Sequence, residues 1–252
     1  MMGLYDPSSQ RFQQMTRTNQ MPTEPSTQDL LIAQLQTVPM LQGLAAASLA
    51  QLAARAIRRD YAPGALIFLE GDAAPAFYYV DRGWVKIVKM SSEGREQILY
   101  VWGPGDLFGG VGVFVQRPAP ATAIALEATT LWILPSDAIR RMFTTDPALA
   151  LPVLDFMATR ISELVQLVAD LSLHTVTARL ARLLLEQAQD DLIQRRSWAT
   201  QAEMAARLGT VPDVLSRALR TLVEAGLIQV QRHQIQILDR QGLLEHTIAE
   251  PR

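Results

Sequence analysis

Apolar and polar positions change their period three times along the chain. Residues 1–28 are polar, rich in Gln, Ser, Thr and Pro, with hardly any apolar repeat, and read as a flexible tail. From Asp29 to Tyr61 the spacing is helical. Leu30, Leu31, Ala33 and Leu35 precede a break at "VPMLQGL", and Leu49, Leu52, Ala53 and Ile57 recur beyond it. Arg55, Arg58 and Arg59 then close a helix where its dipole favours cations. Between Tyr61 and Pro135 the texture is that of strands. Glycines at 64, 71, 83, 94 and 105 separate "ALIFLE", "AFYYVDR", "WVKIVKM" and "QILYVWG", and "TAIALEA" and "TLWILP" follow. Short strands between regular turn signals predict a closed antiparallel barrel or sandwich. Lys86 and Lys89 interrupt the third of these segments, as a half-exposed strand allows.

After Pro135 the helical period returns. Ser136 is placed to cap "DAIRRMF", and Asp146 with Pro147 offers a second cap. Leu154, Met157, Ile161, Leu164, Val168 and Leu171 then alternate at three and four residues. That is a heptad seam, the signature of a helix that pairs with a second copy of itself. A helix packed only on its own core would carry a wider stripe, and Phe156 and Val165 widen this one somewhat.

The last third carries the clearest chemistry. Thr200 followed by Glu203 predicts a capping box, Gly209 ends that helix, and Pro212 opens another that stops at Gly226. Two short helices joined by a glycine turn make a helix-turn-helix. In the second helix Leu215, Ala218, Leu219 and Leu222 share one stripe, set to pack on Met204 and Leu208. Asp213, Ser216, Arg217 and Arg220 share the other. An arginine fork pairs with guanine, a carboxylate accepts from cytosine, and a hydroxyl reaches base or phosphate, so this face suits a major groove. "LIQVQRHQIQILD" reads as two strands around Arg232 and His233, a wing. Thr200, Gln201 and Val211 complete the expected DNA-contacting set.

Composition narrows the picture mainly by exclusion. A net charge of −2 announces no bulk attraction to nucleic acid, so any basic footprint is local. Of 23 basic residues only Lys86 and Lys89 are lysine, which fits a coding bias more simply than a function. The absence of cysteine excludes disulfides, thiolate metal sites and cysteine-held iron–sulfur clusters, and fits a cytoplasmic protein. No apolar run reaches the ~18 residues of a membrane helix, and "MMGLYDPSSQRFQQ" has no signal-peptide core, so no membrane partner is expected. No Ser–His–Asp, metal-ligand or paired-carboxylate arrangement supports an enzyme.

The order of these parts, with "EGD" at 70–72, "FYYVDRGWVKI" at 77–87, "GPGDLFGGVGVF" at 103–114 and "GTVPDVLSRALRTL" at 209–222, resembles the CRP/FNR family of bacterial transcription regulators over residues 29–244. The resemblance implies an α+β chain. After the tail come a cyclic-nucleotide-binding-like β-roll sensor with flanking helices over 29–145, a long dimerisation helix over 146–174 and a winged helix-turn-helix DNA-binding domain over 175–252. It implies a homodimer on two half-sites of double-stranded DNA, RNA polymerase as a further partner, and a small-molecule effector of unknown identity. FNR-like members carry a glutamate, two residues, then Ser-Arg in the recognition helix. Here Ser216 and Arg217 match, while Asp213 is one methylene shorter.

In members that bind cAMP, a glutamate at position 110 grips the ribose, and an arginine and a serine at 120 and 121 hold the cyclic phosphate. This chain has Gly110, Pro120 and Ala121, with Leu164 and Val165 where hydroxyls would face the adenine. Gly109, Gly110, Val111, Gly112, Pro120, Ala121, Leu164 and Val165 are thus the expected effector pocket, and cAMP is not its expected occupant. Arg117 or Thr122 could substitute for a phosphate contact, but neither restores the acid. The expectation is a signal other than cAMP, or constitutive competence. Two alternatives stay open. One is a haem-based gas sensor of the same family, drawing on His174, His233, His246, Met90 or Tyr100. The other is a cyclic-nucleotide-binding interaction module.

Overall fold

Glycines at 64, 71, 83, 94 and 105 all take positive φ, between 77° and 92°, and each turns the chain between strands. The computed structural model describes residues 26–73, 76–115, 117–146, 149–194 and 196–247, without the side chains of 111, 112 and 115. The tail expected over 1–28 lies outside the described residues up to position 25. Its last residues are already ordered: Ser26 caps α1 (Thr27–Thr37), accepting from the Asp29 amide at 3.1 Å while the Asp29 carboxylate accepts from the Ser26 amide at 3.1 Å. This capping box starts the helix two residues ahead of the boundary expected at Asp29.

A 3-10 turn over Pro39–Leu41 leads to α2 (Ala46–Arg55). Arg58 and Arg59 do not close that helix. They lie in β1 (Ile57–Tyr61), opposite Trp132 and Leu131 of β8 (Thr129–Pro135), and the ladder hydrogen bonds override the local helical signal. Between them run β2 (Leu66–Phe68), β3 (Ala76–Arg82), β4 (Val85–Met90), β5 (Glu96–Trp102), β6 (Leu107–Phe108) and β7 (Thr122–Ala125). Every pairing is antiparallel, in two four-stranded sheets ordered β1-β8-β3-β6 and β2-β7-β4-β5. Tyr78, Val80, Trp102, Phe108 and Leu131 fill the roll. Phe77, Leu107 and Leu134, on the opposite side of the first sheet, pack on Leu31, Leu35, Leu49 and Leu52 of the helical cover. A short helix, α3 (Gly110–Val115), occupies part of the glycine-rich stretch.

In α4 (Ser136–Thr145) Ser136 is the first helical residue and Pro135 holds the cap position, while Asp146 ends this helix instead of starting the next. Pro147 lies outside the described residues. The following helix, α5 (Ala150–Leu173), starts after Leu149 with no side-chain cap. It runs 24 residues, and none of its residues is fully buried. At ~1.5 Å per residue that is about 36 Å of helix leaning on the roll by one side only.

The C-terminal part comprises α6 (Val176–Gln187), β9 (Leu192–Gln194), α7 (Gln201–Arg207), α8 (Pro212–Glu224), β10 (Ile228–Val230), β11 (Gln234–Ile237) and α9 (Arg240–His246). The wing has a third strand beyond the two expected: the sheet order is β10-β11-β9, and Asp190 and Asp191, with φ of 51° and 60°, turn the chain into β9. Leu180, Leu184, Leu215, Leu222, Ile235 and Leu243 form its own core. A small apolar cluster joins the two halves: Val88 and Ile98 of the roll pack with Ala206 of α7.

Candidate nucleic-acid interface and ligand cavity

Thr200 caps α7, its hydroxyl accepting from the Glu203 amide at 3.2 Å. The reciprocal half of the expected capping box is not made. The Glu203 carboxylate instead takes the Lys86 ammonium of β4 at 2.9 Å, and Glu96 takes the same ammonium at 2.6 Å. Lys86 is therefore not the half-exposed residue that strand alternation suggests. It is 6% exposed, whereas Lys89 points outward to Glu70. A register shift between Ile87 and Val88 breaks the alternation there. Burial alone lowers the Lys86 pKa, but the two carboxylates outweigh it and hold the ammonium above its ordinary value. Close by, Trp84 of the roll meets Trp198 at 5.7 Å between centroids, and the Arg196 guanidinium lies 4.2 Å over the Trp84 ring. None of this cross-contact shows in periodicity.

Gly209 turns the chain between α7 and α8 with φ +63°, and a Cβ there would meet the Gln97 side-chain oxygen at 2.5 Å. Val211 then sits exposed at the cap of α8. Leu215, Ala218 and Leu222 are buried, with Leu219 and Met204 partly buried against the same core and Leu208 within it. Asp213, Ser216, Arg217 and Arg220 are exposed together on the other face, and Thr200 and Gln201 are exposed at the start of α7. Among the described residues, none of Asp213, Arg217 and Arg220 is in an ion pair, so this face keeps its hydrogen-bonding capacity.

The seam residues differ in how far they face the roll. Leu154, Ile161 and Val168 are 61%, 60% and 63% exposed. Met157 and Leu164 line a cavity against the roll, as Ile161 also does at its edge, Leu164 stays 40% exposed, and Leu171 lies where a side chain at Gly209 would stand. The outward row is Leu151, Leu154, Ala158, Ile161, Val165 and Val168, again spaced three and four.

The cavity beneath α5 has a volume of about 310 Å3. Gly109, Gly110, Pro120, Ala121 and Leu164 line it as expected. Val165 does not, because it is rotated outward on the helix. Val111 and Gly112 fall in α3 with their surroundings outside the described residues. The walls are mainly aromatic. Tyr100 stacks on Trp102 at 5.3 Å, Trp102 on Phe108 at 6.5 Å, and Phe108 on Tyr78 at 5.2 Å. Burial pushes the Tyr78 phenol up to about 12. Two residues not singled out as pocket members bring charge: Arg117, exposed, and Arg160 of α5, whose guanidinium lies 4.8 Å over Trp102.

A cyclic nucleotide does not fit this lining. A Cβ at Gly110 would lie 2.3 Å from the Phe77 Cζ, so a side chain carrying the ribose acid would need that ring to move. The carbonyl of Pro120 accepts from Lys89 at 3.2 Å, and the Thr122 hydroxyl accepts from the Glu70 amide at 3.0 Å, so that hydroxyl already serves the Glu70 turn. Among the described residues the lining offers no carboxylate to a ribose. Haem fares no better. His174 ends α5 with its ring 3.4 Å from Asp170, the His246 ring is 2.9 Å from the Gly242 carbonyl, and His233 lies in the wing. No histidine lines the cavity among the described residues, Met90 is exposed outside it, and the Tyr100 hydroxyl donates to the Arg160 carbonyl at 3.2 Å.

Known proteins align with this architecture over most of its length. Residues 58–146 match the cyclic nucleotide-binding domain family, and residues 178–246 match the Crp-like helix-turn-helix domain. The cyclic AMP receptor protein of Thermus thermophilus is 30% identical over 215 residues, covering 82% of this chain and 95% of its own. A CRP-like cAMP-activated global transcriptional regulator of Mycobacterium tuberculosis is 26% identical, over 81% of this chain and 94% of its own. In fold, FixK2 of Bradyrhizobium japonicum superposes with a TM-score of 0.68 at 24% identity, over 77% of this chain and 98% of its own. With a roll, a leaning helix and a winged helix-turn-helix in the same order, this chain belongs to the CRP/FNR family of DNA-binding transcription regulators.

Proposed function

We propose that this regulator acts as a homodimer, reads two DNA half-sites with α8, and responds through its roll to a signal other than cAMP. The observation that carries the DNA reading is the α8 face. Asp213, Ser216, Arg217 and Arg220 are exposed, free of ion pairs among the described residues, and held rigid by a buried opposite stripe. Ser216 and Arg217 are the base-reading pair, Asp213 and Arg220 flank it, and Thr200, Gln201 and Val211 sit where backbone phosphates pass.

The dimer reading is supported by α5. An exposed apolar row at heptad spacing, on a helix with no buried residue, needs a cover, and a second copy related by a two-fold axis supplies the same row in return. That symmetry sets two α8 helices for successive major grooves, ~34 Å apart. The signal reading is supported by the cavity, whose floor is closed by Phe77 where a nucleotide-binding acid would stand. A ligand that prefers one arrangement of α5 shifts the population of DNA-competent dimers by that preference and no more. RNA polymerase is the downstream partner that the family implies.

Selecting bound duplexes from a random pool, with and without cell extract, tests this reading. A two-fold symmetric operator is the expected result, and recovery of random sequence would overturn it.

A further inference from the structure

Arg160 stands out from the apolar walls of the cavity. Its guanidinium is ringed by Trp102, Phe156 and Tyr100, at 4.8, 5.2 and 5.7 Å from the ring centres. One of its amino groups pairs with Glu163 at 2.7 Å. Its Nε is buried and has no hydrogen-bond partner. A buried donor of a charged group left unpaired is costly, so a small shift of Arg160 that brings this donor to a ligand's acceptor is favoured. The lining also contains Arg117 and, among the described residues, no carboxylate. Glu163 offsets the Arg160 charge, and Arg117 with no lining carboxylate leaves the cavity a surplus of one positive charge, which favours a monoanion.

The remaining lining selects for shape. Trp102 and Phe108 are within 10° of parallel, and Phe108 and Tyr78 within 18°. The stacked rings present a flat apolar wall against which a planar body can lie. The volume of about 310 Å3 is that of a two-ring molecule: an apolar cavity of ~150 Å3 takes up benzene.

We infer that the cavity binds a flat, apolar monoanion of about two fused rings, an aromatic carboxylate in chemical class, with its rings against Trp102 and Phe108 and its carboxylate accepting from the Arg160 Nε. This rests on the reading of the roll as the sensor, and it names the class of signal. Arg160 belongs to α5 and directly precedes Ile161 of the outward row, so the group that holds the anion and the proposed dimer seam share one helix.

The test uses the full chain and three probes: 2-naphthoate, its neutral isostere naphthalene-2-carboxamide, and cAMP, each followed by calorimetry and tryptophan quenching. The expected result is one 2-naphthoate per chain, bound at least about tenfold more tightly than the carboxamide, with no heat from cAMP. Arg160→Met, checked for folding by near-ultraviolet circular dichroism, should erase the preference and leave the two naphthalenes equal. Equal binding of both naphthalenes to the unaltered chain, preference for cAMP, no binding of either naphthalene, or a preference surviving in R160M would each overturn the inference. The comparison of acid with amide needs no variant, so a misfolded R160M leaves the test decisive. Operator selection runs in parallel. DNA bound without naphthoate binding removes only the ligand class, whereas naphthoate bound without DNA removes only the regulator reading.

Discussion

The Lys86 ammonium lies 2.9 Å from Glu203 in the first helix of the helix-turn-helix and 2.6 Å from Glu96 in its own sheet, so one buried cation ties sensor to reader. Replacing it with Lys86→Met leaves two neighbouring carboxylates without their shared counter-charge. Both are part-exposed, so the loss should be about 2–3 kcal/mol, below the ~3–5 kcal/mol of a fully buried pair. Glu203→Gln should lose less because the amide oxygen still accepts. In denaturant unfolding the double variant should be clearly less destabilised than the sum of the singles, and strict additivity would remove the tie. The Lys86 pKa is raised in the folded chain. Its contribution is therefore full below the unfolded value of ~10.4 and is lost as pH rises through the folded one.

Arg217→Ala should weaken binding to a selected operator by about 1–3 kcal/mol while leaving binding to random duplex nearly unchanged. Fluorescence anisotropy at fixed salt reads both. Equal losses on both duplexes would assign Arg217 to the phosphate backbone instead.

Val168→Asp should break the dimer. Burying one valine contributes ~1.5–3 kcal/mol, and the two-fold axis counts it twice, so the dissociation constant should rise by about two to four decades. Val168 is clear of the cavity lining, so light scattering of the variant reports assembly alone. A dimer unchanged in V168D would move the seam elsewhere.

The sequence made the two sides of α5 hard to separate. A helix that is apolar toward its roll and apolar toward solvent contains two sets of three-and-four spacings offset by one position. Leu154, Met157, Ile161, Leu164 mixes members of both. The turns of the roll were legible because glycine alone favours their positive φ, and the helix-turn-helix because its caps, turn and stripes are local. The Lys86–Glu203 tie joins residues 117 apart in sequence and rests on a strand whose alternation is broken, and neither leaves a periodic trace. Arg160 reads as an ordinary helix-surface cation until the aromatic rings of the roll are brought beneath it.

Grafting the nucleotide handles should fail. In the triple variant Gly110→Glu, Pro120→Arg, Ala121→Ser, the new Cβ at 110 collides with the fully buried Phe77 ring. Overpacking of this kind costs ~1–3 kcal/mol. Calorimetry should show a lower unfolding temperature and still no heat from cAMP. Tight cAMP binding by the triple variant would mean that Phe77 yields easily and that only the polar groups were missing.

Tyr78 gives the roll an alkaline limit. Burial is the main cause of its pKa of about 12, with the nearby Tyr61 and Asp72 adding to it and Arg59 opposing. Below pH ~9 the phenol is protonated in both folded and unfolded chains, and stability does not depend on it. Above ~10 the unfolded chain releases this proton and the folded chain keeps it, so stability falls by up to ~1.4 kcal/mol per pH unit on account of this group alone. Tyr78→Phe removes the proton from both states. Between pH 10 and 11, urea unfolding of Y78F should therefore lose less stability with rising pH than the unaltered chain. Parallel losses would show that Tyr78 ionises as freely in the folded roll as in water.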